Sequence, residues 1–152
     1  MLLTKSKFLL GLQCPSYLWR AVHEKEKLPE PDEQTKHIMS QGTKVGIMAQ
    51  DLYPEGVVVS SNNFTGNLEV TKKLVEENKV IFEGGFIAGD CYARADILVP
   101  NGKSWDIVEV KSGTSVKEEN VYDVCFQKRV YENAGLKIVN SYIMHLNNEY
   151  VR

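Results

Sequence analysis

Cysteine is scarce in this chain. Cys14, Cys91 and Cys125 are widely spaced and odd in number. They do not read as a disulfide framework, and no CxxC is present. No His/Cys pair has zinc-site spacing. No apolar run approaches the ~20 residues that a membrane span needs. Phe8-Leu9-Leu10 is too short, and too soon polar, for a secretory signal. The expected compartment is therefore the cytoplasm, with no membrane partner. An excess of positive charge is also missing: 18 Lys and Arg stand against 20 Asp and Glu, a net charge of -2. That excludes a protein that coats nucleic acid by bulk electrostatics. It leaves room for a local track of phosphate-binding cations, drawn from Lys5, Lys7, Lys111, Lys117, Lys128 and Arg129.

The composition is that of an ordinary globular chain, 43% hydrophobic and 25% charged over 152 residues. Such a length is most simply one domain, able to hold a core without staples. Thr4 or Ser6 is placed to cap a first helix through Phe8, Leu9 and Leu12. Pro15 suits the first position of a second helix. After the rigid connector Leu28-Pro29-Glu30-Pro31, a long helix is expected from about Asp32 to Tyr53. Ile38, Gly42, Val45, Ala49 and Leu52 recur at offsets of four and three, which predicts one buried stripe. Its small residues predict close approach of another element.

A short strand is expected over 56–60, then an amphipathic helix over 67–78. Val80 to Glu83 opens another strand, and Gly84-Gly85 points to a bulge before Phe86-Ile87-Ala88. Tyr92 to Val99 and Trp105 to Lys111 read as strands joined by a Pro100-Asn101-Gly102 turn. A helix over 118–134, stopped by Gly135, precedes a last strand over 138–146. Strands flanked by helices give an α/β fold with a mixed central β-sheet.

The chemistry concentrates in three of these segments. Asp96 lies within Ala93-Arg94-Ala95-Asp96-Ile97-Leu98-Val99, and Glu109 and Lys111 lie within Asp106-Ile107-Val108-Glu109-Val110-Lys111. Alternation along a strand puts Glu109 and Lys111 on one face. The hairpin would bring Asp96 beside them. Two carboxylates next to an amine can hold a hard divalent cation against a phosphate and a polarised water. A salt bridge at a strand end would give the same geometry, so the pairing alone decides nothing. Gln127 and Tyr131 lie four apart, on one face of the late helix.

In this order the motifs resemble the PD-(D/E)xK nuclease superfamily, and more closely its RecB-type branch. There an Arg-x-Asp strand is followed by Glu-x-Lys and then by a Gln-x-x-x-Tyr helix. Ser6-Lys7-Phe8 through Gln13-Cys14-Pro15 and Leu18-Trp19 is similar to the opening of that branch, including CRISPR-associated RecB-like exonucleases. Met39 to Pro54, with Gln-Gly-x-x-Val-Gly-x-x-Ala and then Leu-Tyr-Pro, resembles an uncharacterised bacterial subfamily. The likeness spans nearly the whole chain.

The resemblance implies a restriction-endonuclease-like core and metal-dependent hydrolysis of DNA. Asp96, Glu109 and the Val110 carbonyl would bind Mg²⁺ or Mn²⁺. Lys111 would serve the water and the transition state, with Gln127 in support. Tyr131 and Lys128 are the expected nucleic-acid contacts, Tyr131 alternatively being core. Many members carry a histidine four residues after the helix glycine; here that position is Gly46. His37 does not replace it, and Glu83 is a substitute to consider. Two other readings stay open: a catalytically weak nucleic-acid-binding module, and a piece of a longer nuclease. Cys14 stands where the CRISPR-associated relatives begin a four-cysteine cluster set, but no cysteine follows Cys125. No iron–sulfur cluster is expected, since four thiolates are needed. Cys14 is instead expected to be buried where the first two helices meet.

Overall fold

A computed structural model describes residues 1–60 and 63–151. The chain is α/β. Its strands are β1 (Leu3–Thr4), β2 (Val57–Val58), β3 (Ile81–Phe82), β4 (Gly85–Ala88), β5 (Cys91–Arg94), β6 (Ile97–Asn101), β7 (Ser104–Lys111) and β8 (Ile138–His145). Its helices are α1 (Lys5–Gln13), α2 (Pro15–His23), α3 (Glu33–Gln50), α4 (Phe64–Glu76) and α5 (Glu118–Asn133). Five strands form a mixed sheet in the order β2-β3-β6-β7-β8, and three form a second sheet in the order β1-β5-β4. No helix among the described residues is long and apolar enough to cross a membrane.

Local chemistry sets the helix starts. The Thr4 hydroxyl accepts from the Lys7 N–H at 3.3 Å, and Asp32 accepts from Thr35 at 2.8 Å. Both satisfy N–H groups that a first helical turn leaves unpaired. Pro15 opens α2, where its missing N–H costs nothing. The β6–β7 hairpin pairs Asn101 with Ser104, so Gly102-Lys103 is its two-residue turn. Gly102 takes φ +63°, the conformation such a turn requires.

The central strand β7 shows how alternation divides the interior. Trp105 and Ile107 face α5 and join one apolar cluster with Phe126, Val130, Tyr131 and Ile138. Val108, between them and Glu109, faces the other way and packs with Ala49, Phe82 and Ile97. Glu109 and Lys111 therefore continue the α5 face. The passage from β7 through α5 to the parallel strand β8 places that helix over them.

Three expectations are corrected. The segment 92–99 is not one strand: it breaks at Ala95-Asp96, opposite a break at Glu83-Gly84 in the partner. Ala95 donates to the Gly84 carbonyl and Glu83 to the Asp96 carbonyl, so the pair bends together. Glu83 takes φ +60° there, a strained value for a residue with a side chain. The bend sends β4 and β5 into the second sheet.

The predicted stripe of α3 is not buried. Only Ala49 is; Ile38 is 57% exposed and Leu52 66%. A β-carbon added at Gly42 or Gly46 would meet nothing within 4 Å. These glycines border a cleft rather than a packed neighbour, which periodicity cannot distinguish. Cys14 is likewise exposed. It is the single residue between α1 and α2, in extended conformation.

Opposite outcomes are expected at two glycines. A β-carbon at Gly85 would collide with Asn67 Oδ1 and the Tyr92 hydroxyl. Gly85→Ala should therefore cost about 1–3 kcal/mol by overpacking. Gly42→Ala, in an open helix, should add about 0.5–1 kcal/mol. Urea midpoints with unchanged slopes would check both.

Candidate active site

Asp96 stands at the bend, one residue before β6 begins. Because β6 starts opposite Val108, residues 109–111 of β7 run past its end. Asp96 fills the missing place: its Oδ2 accepts the Val110 N–H at 2.8 Å. In a strand the N–H and C=O of one residue leave from the same edge. The Val110 carbonyl thus projects on the Asp96 side. Asp96, Glu109 and Val110 border one cleft of about 580 Å³, closed opposite by Gly42, Thr43, Gly46, Ile47 and Gln50 of α3.

Glu109 is 1% exposed. An unpaired carboxylate at that depth would cost several kcal/mol. Here it has three partners. Its Oε1 accepts from Lys111 at 2.6 Å and from Lys5 at 2.8 Å, and its Oε2 accepts from Gln127 Nε2 at 2.6 Å. Asp123 of α5, also 1% exposed, closes the arrangement. It accepts from Lys111 at 2.6 Å and from Gln127 at 3.1 Å, with Lys5 at 3.5 Å. Two ammonium groups and two carboxylates alternate in a ring bridged by one amide. The Tyr131 hydroxyl donates to Gln127 Oε1 at 3.0 Å, which fixes the amide with its NH₂ toward the acids.

The electrostatics follow. Burial works against the charge on Lys111, but Glu109 and Asp123 outweigh it and hold its pKa well above the ordinary value. Lys5 is raised in the same balance, by Glu109, Asp96 and Asp123 against burial. Asp123 is pushed up by burial and by Glu109, with both lysines opposing. Burial raises Tyr131 far above an ordinary phenol, and the nearby carboxylates add to it.

The residues fit a hard divalent cation by lone-pair accounting. An ionised carboxylate offers about four lone-pair positions. Glu109 has three engaged, leaving one on Oε2. Asp96 has one engaged, leaving its Oδ1 without a protein partner among the described residues. Three carboxylates, Asp96, Glu109 and Asp123, against two ammonium groups leave one net negative charge. No group of three or more His, Cys, Asp or Glu side chains among the described residues is already arranged as a metal cage. Water and phosphate oxygens would therefore have to supply most of a six-oxygen shell, as Mg²⁺ commonly requires.

Other residues singled out in the sequence fall differently. Tyr131 is fully buried with its ring tilted against Phe86, so it supports Gln127 and, contrary to expectation, presents no surface to a nucleic acid. Lys128 lies half-buried on the flank of α5, 3.9 Å from Glu132. Lys7 donates to the Leu2 carbonyl and Lys117 lies near Glu119. The lysines therefore form no single track. His37 is exposed and touches Gln41. Glu83 does border the cleft, but Arg94 Nε holds its carboxylate at 2.8 Å.

Sequence reasoning missed Asp123 and placed Lys5 only among the candidate phosphate-binding cations. Asp123 had a signal: it stands four residues before Gln127 on the same helical face. Compared with protein-family models, with curated proteins and with solved structures, the chain matches none.

Two measurements follow. Asp123→Ala leaves two partly exposed ammonium groups on Glu109 and should cost about 1.5–3 kcal/mol in urea unfolding, the worth of a hydrogen bond to a charged group. The raised lysines also give a sign for pH. The folded state holds these protons more tightly than the unfolded chain does. Their contribution is complete below about pH 10 and is lost as pH rises past the ordinary lysine range. Tyr131 adds to the same slope. Stability that rises between about pH 10 and pH 11 would contradict the ring.

Proposed function

We propose that the chain is a metal-dependent deoxyribonuclease with a restriction-endonuclease-like core of the PD-(D/E)xK, RecB-type kind, acting in the cytoplasm on DNA. The observation that carries this reading is the shared cleft. Two carboxylates, one from the bend before β6 and one from β7, and the edge of Val110 border it, with a charged lysine against one of them.

Asp96, Glu109 and the Val110 carbonyl would hold Mg²⁺ or Mn²⁺. When bound, such an ion supplies Lewis-acid polarisation of the phosphate and a more acidic water. The remaining work falls to the chain. Glu109 and Asp123 hold the Lys111 amine in its charged form. Its ammonium has three donors, of which Glu109 and Asp123 take two. The third, without a protein partner among the described residues, is available to orient a water or to stabilise charge on the phosphoryl oxygens as water adds to phosphorus and the P–O bond breaks. Gln127 holds Glu109 and Asp123 at fixed separation, and Tyr131 holds Gln127. This chain of contacts keeps the first ligand in place without rearrangement, which is the basis of preorganised catalysis.

One observation favours a second reading, a nucleic-acid-binding module with little turnover. Gly46 brings no side chain to the cleft, and Glu109 has one lone-pair position left. DNA binding without cleavage in Mn²⁺ would support that reading.

The test is cleavage of labelled single- and double-stranded DNA with Mg²⁺, Mn²⁺ or EDTA. Asp96→Asn, Glu109→Gln and Lys111→Met should each lower cleavage by about 100-fold or more, with no further loss when combined, because they act as one unit. Tyr131→Phe should remain folded and lose far less, on the order of 1 kcal/mol, since only one hydrogen bond disappears. Full activity in any of the first three would exclude this site.

A further inference from the structure

Lys5 is the one ring member whose role the proposed chemistry does not use. It lies at the start of α1, 104 residues from Glu109, yet its ammonium is 2.8 Å from Glu109 Oε1. It is also 3.5 Å from Asp123 Oδ1 and feels the charge of Asp96. Its side chain is 23% exposed. Three features tether it there. Thr4 caps α1, β1 pairs in parallel with β5, and Phe8 stacks on Phe126 of α5 at 4.8 Å. A flexible surface lysine would need none of these.

The position has a consequence for any divalent ion held by Asp96 and Glu109. Lys5 and Lys111 together occupy both lone pairs of Glu109 Oε1. An ion sharing that carboxylate would sit in the repulsive field of the Lys5 ammonium, in surroundings where water screens poorly. The same ammonium lets the acids stay buried and ionised without any metal. Lys111 cannot do this alone, because two buried carboxylates would then share one cation.

Resting on the metal-site reading above, we infer that Lys5 is the internal counter-ion of the metal site. It shares Glu109 with an incoming divalent cation, keeps the site folded in its absence, and sets the cation's affinity to a weak value.

The test titrates Mn²⁺ into the full chain by calorimetry. Wild type, Lys5→Met and Lys5→Arg are compared, each with and without Asp96→Asn. Lys5→Met should bind Mn²⁺ about tenfold or more tightly than wild type. Lys5→Arg keeps the charge and should bind as weakly as wild type. Asp96→Asn should remove binding in every background. Thermal unfolding gives a second readout: Lys5→Met should have a lower Tm without metal and a larger rise with Mn²⁺ than wild type. If Lys5→Met is unfolded alone, Mn²⁺ should fold it.

Equal or weaker Mn²⁺ binding by Lys5→Met would overturn the inference. So would tight binding by Lys5→Arg, or a Lys5→Met chain that Mn²⁺ does not refold. Failure of the nuclease reading looks different. A chain that binds Mn²⁺ as expected, yet leaves DNA intact, would sink that reading and leave the role of Lys5 standing.

Discussion

Glu109 carries a negative charge in the interior of a 152-residue chain, between Ile107 and α5, and that charge must be compensated wherever it sits. At 1% exposure, bulk water supplies little of that compensation. The compensation comes from α1 through Lys5, from β7 itself through Lys111, and from α5 through Gln127. Each partner lies on a different element. The carboxylate therefore fixes where α1 and α5 meet the sheet, beyond what their apolar contacts specify. The same accounting applies to Asp123, whose partners are three of the same groups. Removing any one member leaves the others with fewer partners for their charges, so the ring is energetically coupled.

The second constraint is the shared bend at Glu83-Gly84 and Ala95-Asp96. Continuous strands would have covered the end of β7 with backbone hydrogen bonds and left no edge. The bend ends β6 at Ile97, and one side-chain oxygen of Asp96 replaces the lost partner of Val110. This opens the cleft at Asp96 and leaves its other oxygen without a protein partner among the described residues. The strain held at Glu83 belongs to the same device. Asn67 Nδ2 anchors the Glu83 carbonyl at 3.1 Å, so α4 helps hold the bend.

Across the cleft, α3 presents Gly42, Thr43, Gly46, Ile47 and Gln50, not a packed stripe. Its apolar side chains at Ile38, Met39, Ile47 and Met48 stay largely exposed. The helix is tied to the sheet mainly near Ala49, where the second apolar cluster includes Phe82, Ile97 and Val108. The wall opposite the carboxylates is thereby the less embedded one.

Much of this was determined locally and was legible in the residues. Caps, Pro15, Gly102 and Gly135 act within a few residues of themselves, so element order followed from the sequence. Period two placed Glu109 with Lys111, and period four placed Gln127 with Tyr131. Tertiary structure decided what those faces met. The α3 periodicity was real, but a stripe of small residues can border a cleft as readily as a neighbour. Tyr131 turned out to lie wholly inside, which an amphipathic tyrosine does not announce. Lys5 could not be assigned from its surroundings in the chain. Its partners are 104 and 118 residues away, and only the docking of α1 against α5 and β7 brings that charge to theirs. Backbone preferences act over a few residues, whereas the need to neutralise a buried charge acts through space, and only the folded chain reveals which cation answers it.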